Sequence, residues 1–414
     1  MSTFRRVLLP YWLILQNRRY FPLWLGQLVS SLGDTLNYIA LVVYVYQLTG
    51  SGFDLSKLSI YQILPILLIS PVAGVVIDRF RRKNILIAAD IVRGILILGL
   101  AFASNVTAIY AIALLVSLAT TFFRPTVQVV IPALVKEEEL LTANSVAWSS
   151  EQLVQIIGSA LAGGLIAWIG PQAAFLFNAG TFFFSAFMIA TMKVPPAAAP
   201  EQQKGGWRVY LNEMRAGFSY ALHHPFVARL VVVQMLASLA VGGTSALLVV
   251  LSEEHLRLAP AGFSALLFAI GVGALLGPFL LGLFTREYKD MRLLFVPYLI
   301  RGVGDVLIAL VASFPLALFL LFAYGLNTST GMVVYNSIMQ ATIPDQVRGR
   351  VFTLMDMTWS IMEIVSIGAA GLLADAIGIR PVYYAGGGLL ILAGLLGLLL
   401  LGRHRFPAAA TASA

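Results

Sequence analysis

The 414-residue sequence predicts an all-α membrane protein, with twelve transmembrane helices in two pseudo-symmetric six-helix bundles. Composition is the first ground. Hydrophobic residues make up 59% of the chain and charged residues 11%, against roughly 45–50% and about 25% in soluble domains. The mean hydropathy is +0.88. Such a chain cannot cover its core with polar surface, which excludes a soluble globule, a disordered protein and a coiled coil. Recurring apolar runs are the second ground. They are about 20 residues long and closely spaced, which suits helices and not a β-barrel. The third is an internal repeat of the two halves.

The spans follow in chain order. Arg5 and Arg6 precede the apolar stretch Val7–Leu15 and imitate a signal peptide. Pro10 interrupts that stretch, no small-residue cleavage site follows, and Arg18 and Arg19 come next. Residues 1–20 therefore read as a cytoplasmic N-terminal segment on the membrane surface. The first bundle, residues 21–193, holds spans near 21–47, 54–77, 84–104, 107–134, 144–169 and 172–192. The second, residues 225–403, holds spans near 226–252, 260–284, 291–312, 314–342, 350–377 and 381–402. Residues 194–224 form a cytoplasmic linker. It opens with a Pro/Ala/Gly stretch and continues with Trp207, Leu211, Met214, Phe218 and Leu222 at helical spacing. That spacing predicts an amphipathic helix at the inner interface. Residues 404–414 form a cytoplasmic tail.

Basic residues orient the chain. Loops placed inside hold twenty Lys and Arg, and those placed outside hold three: Lys57, Arg257 and Arg380. The positive-inside rule then puts both termini in the cytoplasm. The formal charge of +8 is thus a topology signal and points to no nucleic-acid partner.

Comparison of the two halves reveals a repeat near 208 residues. Arg93-Gly94 matches Arg301-Gly302, Gly74 matches Gly282, and Gly163 and Gly170 match Gly371 and Gly378, all at 208. Gln128-x-x-Ile131-Pro132 matches Gln340-x-x-Ile343-Pro344 at 212. Ordered matches at one offset indicate two parallel halves, the organisation of secondary transporters with a site near mid-membrane.

The loop between spans 2 and 3 reads Gly74-Val-Val-Ile-Asp78-Arg79-Phe80-Arg81-Arg82-Lys83. It resembles the major facilitator signature Gly-x-x-x-Asp-Arg-x-Gly-Arg-Arg/Lys, with Arg81 in place of the second glycine. Further stretches resemble the bacterial branch containing macrolide efflux proteins and the enterobactin exporter. They are Asn17-Arg18-Arg19-Tyr20-Phe21, Gly26 through Asp34, Leu141-Thr142-Ala143-Asn144-Ser145 and Arg348-Gly349-Arg350-Val351-Phe352. In span 5, Gly158 through Gly164 lacks the proline of the family's antiporter signature and carries one extra residue. The resemblance covers nearly the whole chain. It implies the major facilitator fold, alternating access and a place in the bacterial inner membrane. It also implies that Asp78 closes on the N-terminus of span 11, expected near Arg350, and latches the cytoplasmic side. Gly74 would permit the close approach, and Arg79, Arg82 and Arg350 belong to the same gate. A negative charge at a helix N-terminus is favoured on general grounds.

Charges inside spans are costly, each roughly 2.5–3.5 kcal/mol, and so are candidates for function. Asp34 at the centre of span 1 either exchanges a proton and meets a cationic substrate, or is held by a partner for helix packing. Glu363 in the middle of span 11 and Glu151 early in span 5 are further proton-coupling candidates. Asp90 and Arg93, three residues apart, share a helix face and form a structural pair, and Arg301 and Asp305, four apart, allow the same. Arg124 could hold a carboxylate charged, or could snorkel. Cavity candidates are Gln27, Asn37, Tyr38, Gln155, Gln234, Asn327, Tyr335, Asn336 and Trp359. Gln155 stands 208 residues before Glu363. This polar and aromatic mixture suits an amphipathic ligand.

Nothing supports an enzyme. Cysteine is absent, the four histidines lie in loops or at span ends, and there is no phosphate-binding Gly-x-x-x-x-Gly-Lys. No metal or cofactor is expected, and an ion gradient is the driver. The expectation is a monomeric, proton-coupled exporter of small hydrophobic or amphipathic molecules, with protons and membrane lipid as its other partners. A lysophospholipid flippase and a non-transporting sensor or scaffold are the alternatives.

Overall fold

The computed structural model describes residues 12–192, 211–212, 215, 218–220, 223–284, 291–343 and 345–402. Among them are twelve long helices: α1 (Phe21–Thr49), α2 (Gly52–Arg79), α3 (Arg82–Leu100), α4 (Val106–Leu134), α5 (Leu140–Ile169), α6 (Pro171–Thr191), α7 (Pro225–Ala246), α8 (Pro260–Phe284), α9 (Arg292–Leu310), α10 (Phe314–Thr342), α11 (Asp345–Ile377) and α12 (Ile379–Leu401). Each overlaps an expected span. Eleven are long and apolar enough to cross a membrane. The twelfth, α3, is the one that carries Asp90 and Arg93 within its 19 residues.

Local chemistry sets the ends. Ser51 caps α2 by accepting from the Asp54 N–H at 3.1 Å, and Asn105 caps α4 by accepting from the Thr107 N–H at 2.8 Å. Gly50 ends α1 at φ 60. Gly170 between α5 and α6 and Gly378 between α11 and α12 adopt φ 80 and φ 86. These glycines are 208 residues apart, so the repeat in sequence is a repeat in backbone conformation that a side chain would strain.

Two expectations are corrected. The seventh span does not run unbroken to residue 252. α7 ends at Ala246, a helical turn covers Leu248–Val250, and a π-helical turn covers Leu251–His255. The buried Tyr383 hydroxyl donates to the Thr244 carbonyl at 2.7 Å and so competes with a helical partner there. The eleventh helix begins at Asp345 and not near Arg350, the preceding helix having ended at Thr342 with Ile343 as its extended C-cap. Arg350 therefore lies in the second turn, exposed.

The chain divides into two compact units: Met1–Tyr210 with Leu258–Phe268, and Leu211–Arg257 with Ala269–Ala414. The start of α8 belongs to the first unit, where Ala261 and Ser264 meet Gly163 of α5. In the first unit α6 packs on α1 and α3, and α4 packs on α2 and α3. Its core includes Tyr20, Leu23, Leu86, Phe123, Val130 and Ile189. The Tyr20 hydroxyl donates to the Ala143 carbonyl at 2.8 Å, and burial pushes this phenol well above its ordinary range. In the second unit α12 packs on α7 and α9, and α11 on α7. Its core includes Leu230, Val233, Phe295, Val334, Ile338 and Leu390. Trp168, Phe187, Phe279, Phe319 and Leu399 stay exposed, as large apolar side chains can in a protein surrounded by lipid. The described residues between Leu211 and His223 are helical. Trp207, Met214 and Leu222 of the expected amphipathic helix lie outside the described residues.

Candidate functional site

The first unit gathers its charges where α1, α3 and α6 meet. Gly33 has no side chain, and a methyl group there would overlap Asn178 and Thr181 of α6. This close approach lets the Asn178 Nδ2 donate to Asp34 Oδ1 at 3.3 Å. Thr181 in turn donates to the Asn178 Oδ1 at 3.1 Å and orients the amide. Asp34 itself is exposed on the surface of the unit. Behind it Arg93 is buried and donates to Asp90. Its guanidinium lies over the Phe123 ring at 4.0 Å and the Phe182 ring at 4.4 Å, two cation–π contacts that offset desolvation.

A cavity of about 140 Å³ opens in the same unit between Trp24, Gln27, Ser31, Ile131 and Glu151. Gln27 and Glu151 are thus brought together, while Asn37, Tyr38 and Gln155 do not line it. The Gln27 Nε2 and Asn37 Oδ1 are buried without a hydrogen-bond partner among the described residues. Gln155 is exposed on α5, and Tyr38 is exposed on α1.

The second unit holds a cavity of about 570 Å³. Of the expected residues, Gln234, Asn327, Tyr335, Trp359 and Glu363 line it, and Asn336 does not. The Tyr298 hydroxyl donates to the Gln234 Oε1 at 2.5 Å. The Trp359 carbonyl accepts from Ser238 at 2.7 Å, fixing α11 against α7. Arg301 lies on the wall, stacked over Tyr324 at 3.9 Å and donating to the Ser245 hydroxyl at 3.1 Å. Its Nε stands 3.8 Å from the Asp305 Oδ2. Asp356 also lines the cavity.

Residues missed from the sequence are Asn178 and Thr181 in the first unit and Tyr298 and Tyr324 in the second. A signal existed for the first pair. Asn178, Thr181 and Ser185 recur at three and four residues and mark a polar stripe on an apolar helix. Tyr298 lies one turn before Arg301, and Tyr324 one turn before Asn327, so each shares a face with a polar wall residue.

Among the gate residues, the side chains of Gly74 and Asp78 lie outside the described residues. Arg79 is exposed in the last turn of α2, where a cation complements the helix dipole. Arg82 is half-buried at the start of α3. Lys83 ties α3 to the end of α6, its Nζ donating to the carbonyls of Ala190 at 2.7 Å and Met192 at 2.8 Å. Among the described residues no cluster of His, Asp and Glu could hold a metal ion.

The sequence profile of the Major Facilitator Superfamily matches residues 23–300 and 230–414. The chain belongs to the Major Facilitator Superfamily. It is therefore a multi-pass membrane transporter and not an enzyme. Among its relatives in this superfamily is macrolide efflux protein A of Streptococcus pyogenes, 25% identical over 386 residues, covering 90% of this chain and 93% of that protein. The multidrug efflux pump Tap of Mycolicibacterium fortuitum is 26% identical over 371 residues, covering 86% and 90%. The enterobactin exporter EntS of Escherichia coli O1:K1 / APEC is 26% identical over 360 residues, covering 83% of each. Solved structures share the fold. A mutant of the nucleoside transporter NupG superposes with a TM-score of 0.76 at 13% identity, covering 92% of this chain and 99% of that one. A bacterial homologue of the iron transporter ferroportin gives 0.72 at 17%, covering 92% and 98%.

Proposed function

We propose that this facilitator exports small hydrophobic or amphipathic organic molecules in exchange for protons, by alternating access. The cavity of the second unit carries the reading. Its walls hold Tyr298, Tyr324, Tyr335 and Trp359 with two acids, Asp356 and Glu363, and one cation, Arg301. Aromatic walls with few polar groups take up amphipathic organic ligands, and aromatic faces beside acids favour a cationic end. The efflux proteins among its relatives support the outward direction.

Asp34 is the proton site in this reading, because it is an ionisable group inside a span, accessible at the surface and held by Asn178. Glu151 and Glu363 are auxiliary proton sites. Gln27, Asn37, Tyr38 and Gln155 of the first unit, with Asn336 of the second, complete the substrate surface. Gly74, Asp78, Arg79, Arg82 and Arg350 form the cytoplasmic gate. The transporter works as a monomer in the bacterial inner membrane with both termini cytoplasmic, as the distribution of basic residues requires, and with 21–193 and 225–403 as its bundles.

The test uses inverted membrane vesicles supplied with the dye ethidium or a radiolabelled macrolide. Asp34→Asn should abolish accumulation driven by a pH gradient while leaving the protein at wild-type level in the membrane. Full pH-driven transport by that variant would sink the proton assignment. Absence of transport of either compound by the wild type would sink the substrate class.

A further inference from the structure

The repeat places Arg301 where the first unit has Arg93, but the two guanidinium groups have different surroundings. Arg93 is 4% exposed and donates directly to Asp90. Arg301 lines the cavity of the second unit. Its side chain is 10% exposed, and its Nε stands 3.8 Å from the Asp305 Oδ2. That distance is too long for a hydrogen bond, and both atoms are buried without a hydrogen-bond partner among the described residues. A guanidinium carries five N–H donors in a planar fork. Among the described residues only the Nη2 is used, in the bond to the Ser245 hydroxyl at 3.1 Å. The Tyr324 ring covers one face of the group at 3.9 Å, which fixes its plane and leaves its N–H edge for bonding.

A cation kept only to hold helices together would have its donors satisfied, since each buried donor left unpaired costs stability. Asp305 gives Arg301 an opposite charge but no hydrogen bond. The unmet donors call for acceptor oxygens from a molecule in the cavity, and a carboxylate presents two at the spacing of the fork. The acids of the cavity do not meet that need. None of the ion pairs among the described residues is made by Asp356 or Glu363. Both lie on α11, seven residues apart and hence on one helix face. α11 packs on α7, whereas α9, which carries Arg301, packs on α10 and α12. The cavity thus has an acidic wall and a basic one, and the rings of Tyr298, Tyr324 and Trp359 are also on its lining. A purely cationic ligand serves the acids and leaves Arg301 unmet, and an uncharged ligand neutralises neither wall.

We infer that Arg301 anchors the carboxylate of the substrate, and that this cavity takes zwitterionic amphiphiles, with their cationic group at Asp356 or Glu363 and their apolar body against the aromatic rings. The inference rests on the second-unit cavity as the substrate site and narrows the substrate class proposed for it.

Rhodamine B carries a delocalised organic cation and a carboxylate. Its ethyl ester keeps the cation and the rings but loses the carboxylate. Binding of each dye to the purified full-length protein is read by fluorescence anisotropy at neutral pH. The ratio of the two affinities is compared between wild type and variant, which cancels any general preference for the more apolar ester. Arg301→Gln should lower the affinity for rhodamine B about tenfold or more and leave that for the ester unchanged. Arg301→Lys keeps the charge without the fork and should retain part of the lost affinity. Arg301→Gln/Asp305→Asn removes both charges together, so it keeps the test open if Arg301→Gln alone does not fold, and it should show the same selective loss. A ratio unmoved in these variants, or an equal loss for both dyes, overturns the inference while leaving the cavity a site for amphiphiles. Binding of neither dye by the wild type overturns the proposed substrate class and the inference with it.

Discussion

Asp34 meets Asn178 only because its neighbour is a glycine. The Gly33 contact brings α6 close enough for the amide to reach the carboxyl, so the acid is held by geometry that its own side chain does not create. In the second unit the comparable work falls to Glu363 and Trp359 on α11. Glu363→Gln keeps the shape and most hydrogen bonding but removes a charge. Transport of the cation ethidium should fall more than that of a neutral macrolide, and equal losses would argue against an acid–cation contact. Tyr298→Phe removes the hydrogen bond to Gln234 and should cost about 0.5–1.5 kcal/mol, visible as a lower thermal midpoint of the purified protein. His255, just beyond α7, titrates in a different setting. Burial and the Arg380 guanidinium hold its imidazole below the usual range, and the Ile308 backbone works the other way. The unfolded chain then binds the proton more readily than the folded one. Stability from this group is present above about pH 6.5 and is lost as pH falls below it. His255→Gln should flatten the decline of thermal midpoint between neutral and acid pH, and an unchanged slope would remove His255 as its cause.

At the scale of elements, paired glycines and helix ends carry the predictions. Gly170→Ala and Gly378→Ala each place a side chain on an extended backbone of positive φ, ψ 168 and 170, that is nearly restricted to glycine, and should destabilise by about 1–3 kcal/mol. Similar losses in both would show that the two connections are built alike, which thermal unfolding of each variant can check. The α2 end is the proposed latch. Asp78→Ala removes a charge worth about 0.3–1 kcal/mol at a helix N-terminus, and Gly74→Leu blocks close helix approach. Both should raise the fraction open to the cytoplasm. Spin labels on the cytoplasmic loops, read by double electron–electron resonance, would show longer distances; unchanged distributions would count against the latch. The correction to α11 matters here. Its free N–H groups lie at Asp345 and the next residues, so Arg350 belongs to a helix face and not to the terminus that an acid would cap.

For the whole molecule, topology is directly testable because the chain has no cysteine. Lys57→Cys should react with a membrane-impermeant maleimide on intact cells, and Lys204→Cys only after the membrane is opened. The reverse pattern would invert the orientation argued from basic residues. The twelve helices, the repeat and the family were legible in the chain, because lipid forces every span to satisfy its own backbone and leaves long apolar runs as the trace. The matching φ of Gly170 and Gly378 likewise follows from residue type, since only glycine is at ease there. The division of labour among charged residues was not legible. Arg93 and Arg301 are equivalent in the repeat, yet one is enclosed between Phe123 and Phe182 and the other lines a cavity over Tyr324. The break after α7, the Asn178 contact to Asp34 and the wall position of Asp356 belong to the same class. Each depends on which side chain of a distant helix lies opposite, and helical periodicity names the face of a residue without naming its neighbour. Sequence alone determined the spans, because burial in lipid is a property of each segment. Tertiary structure alone decided the site, because a buried charge takes its role from partners that packing brings to it.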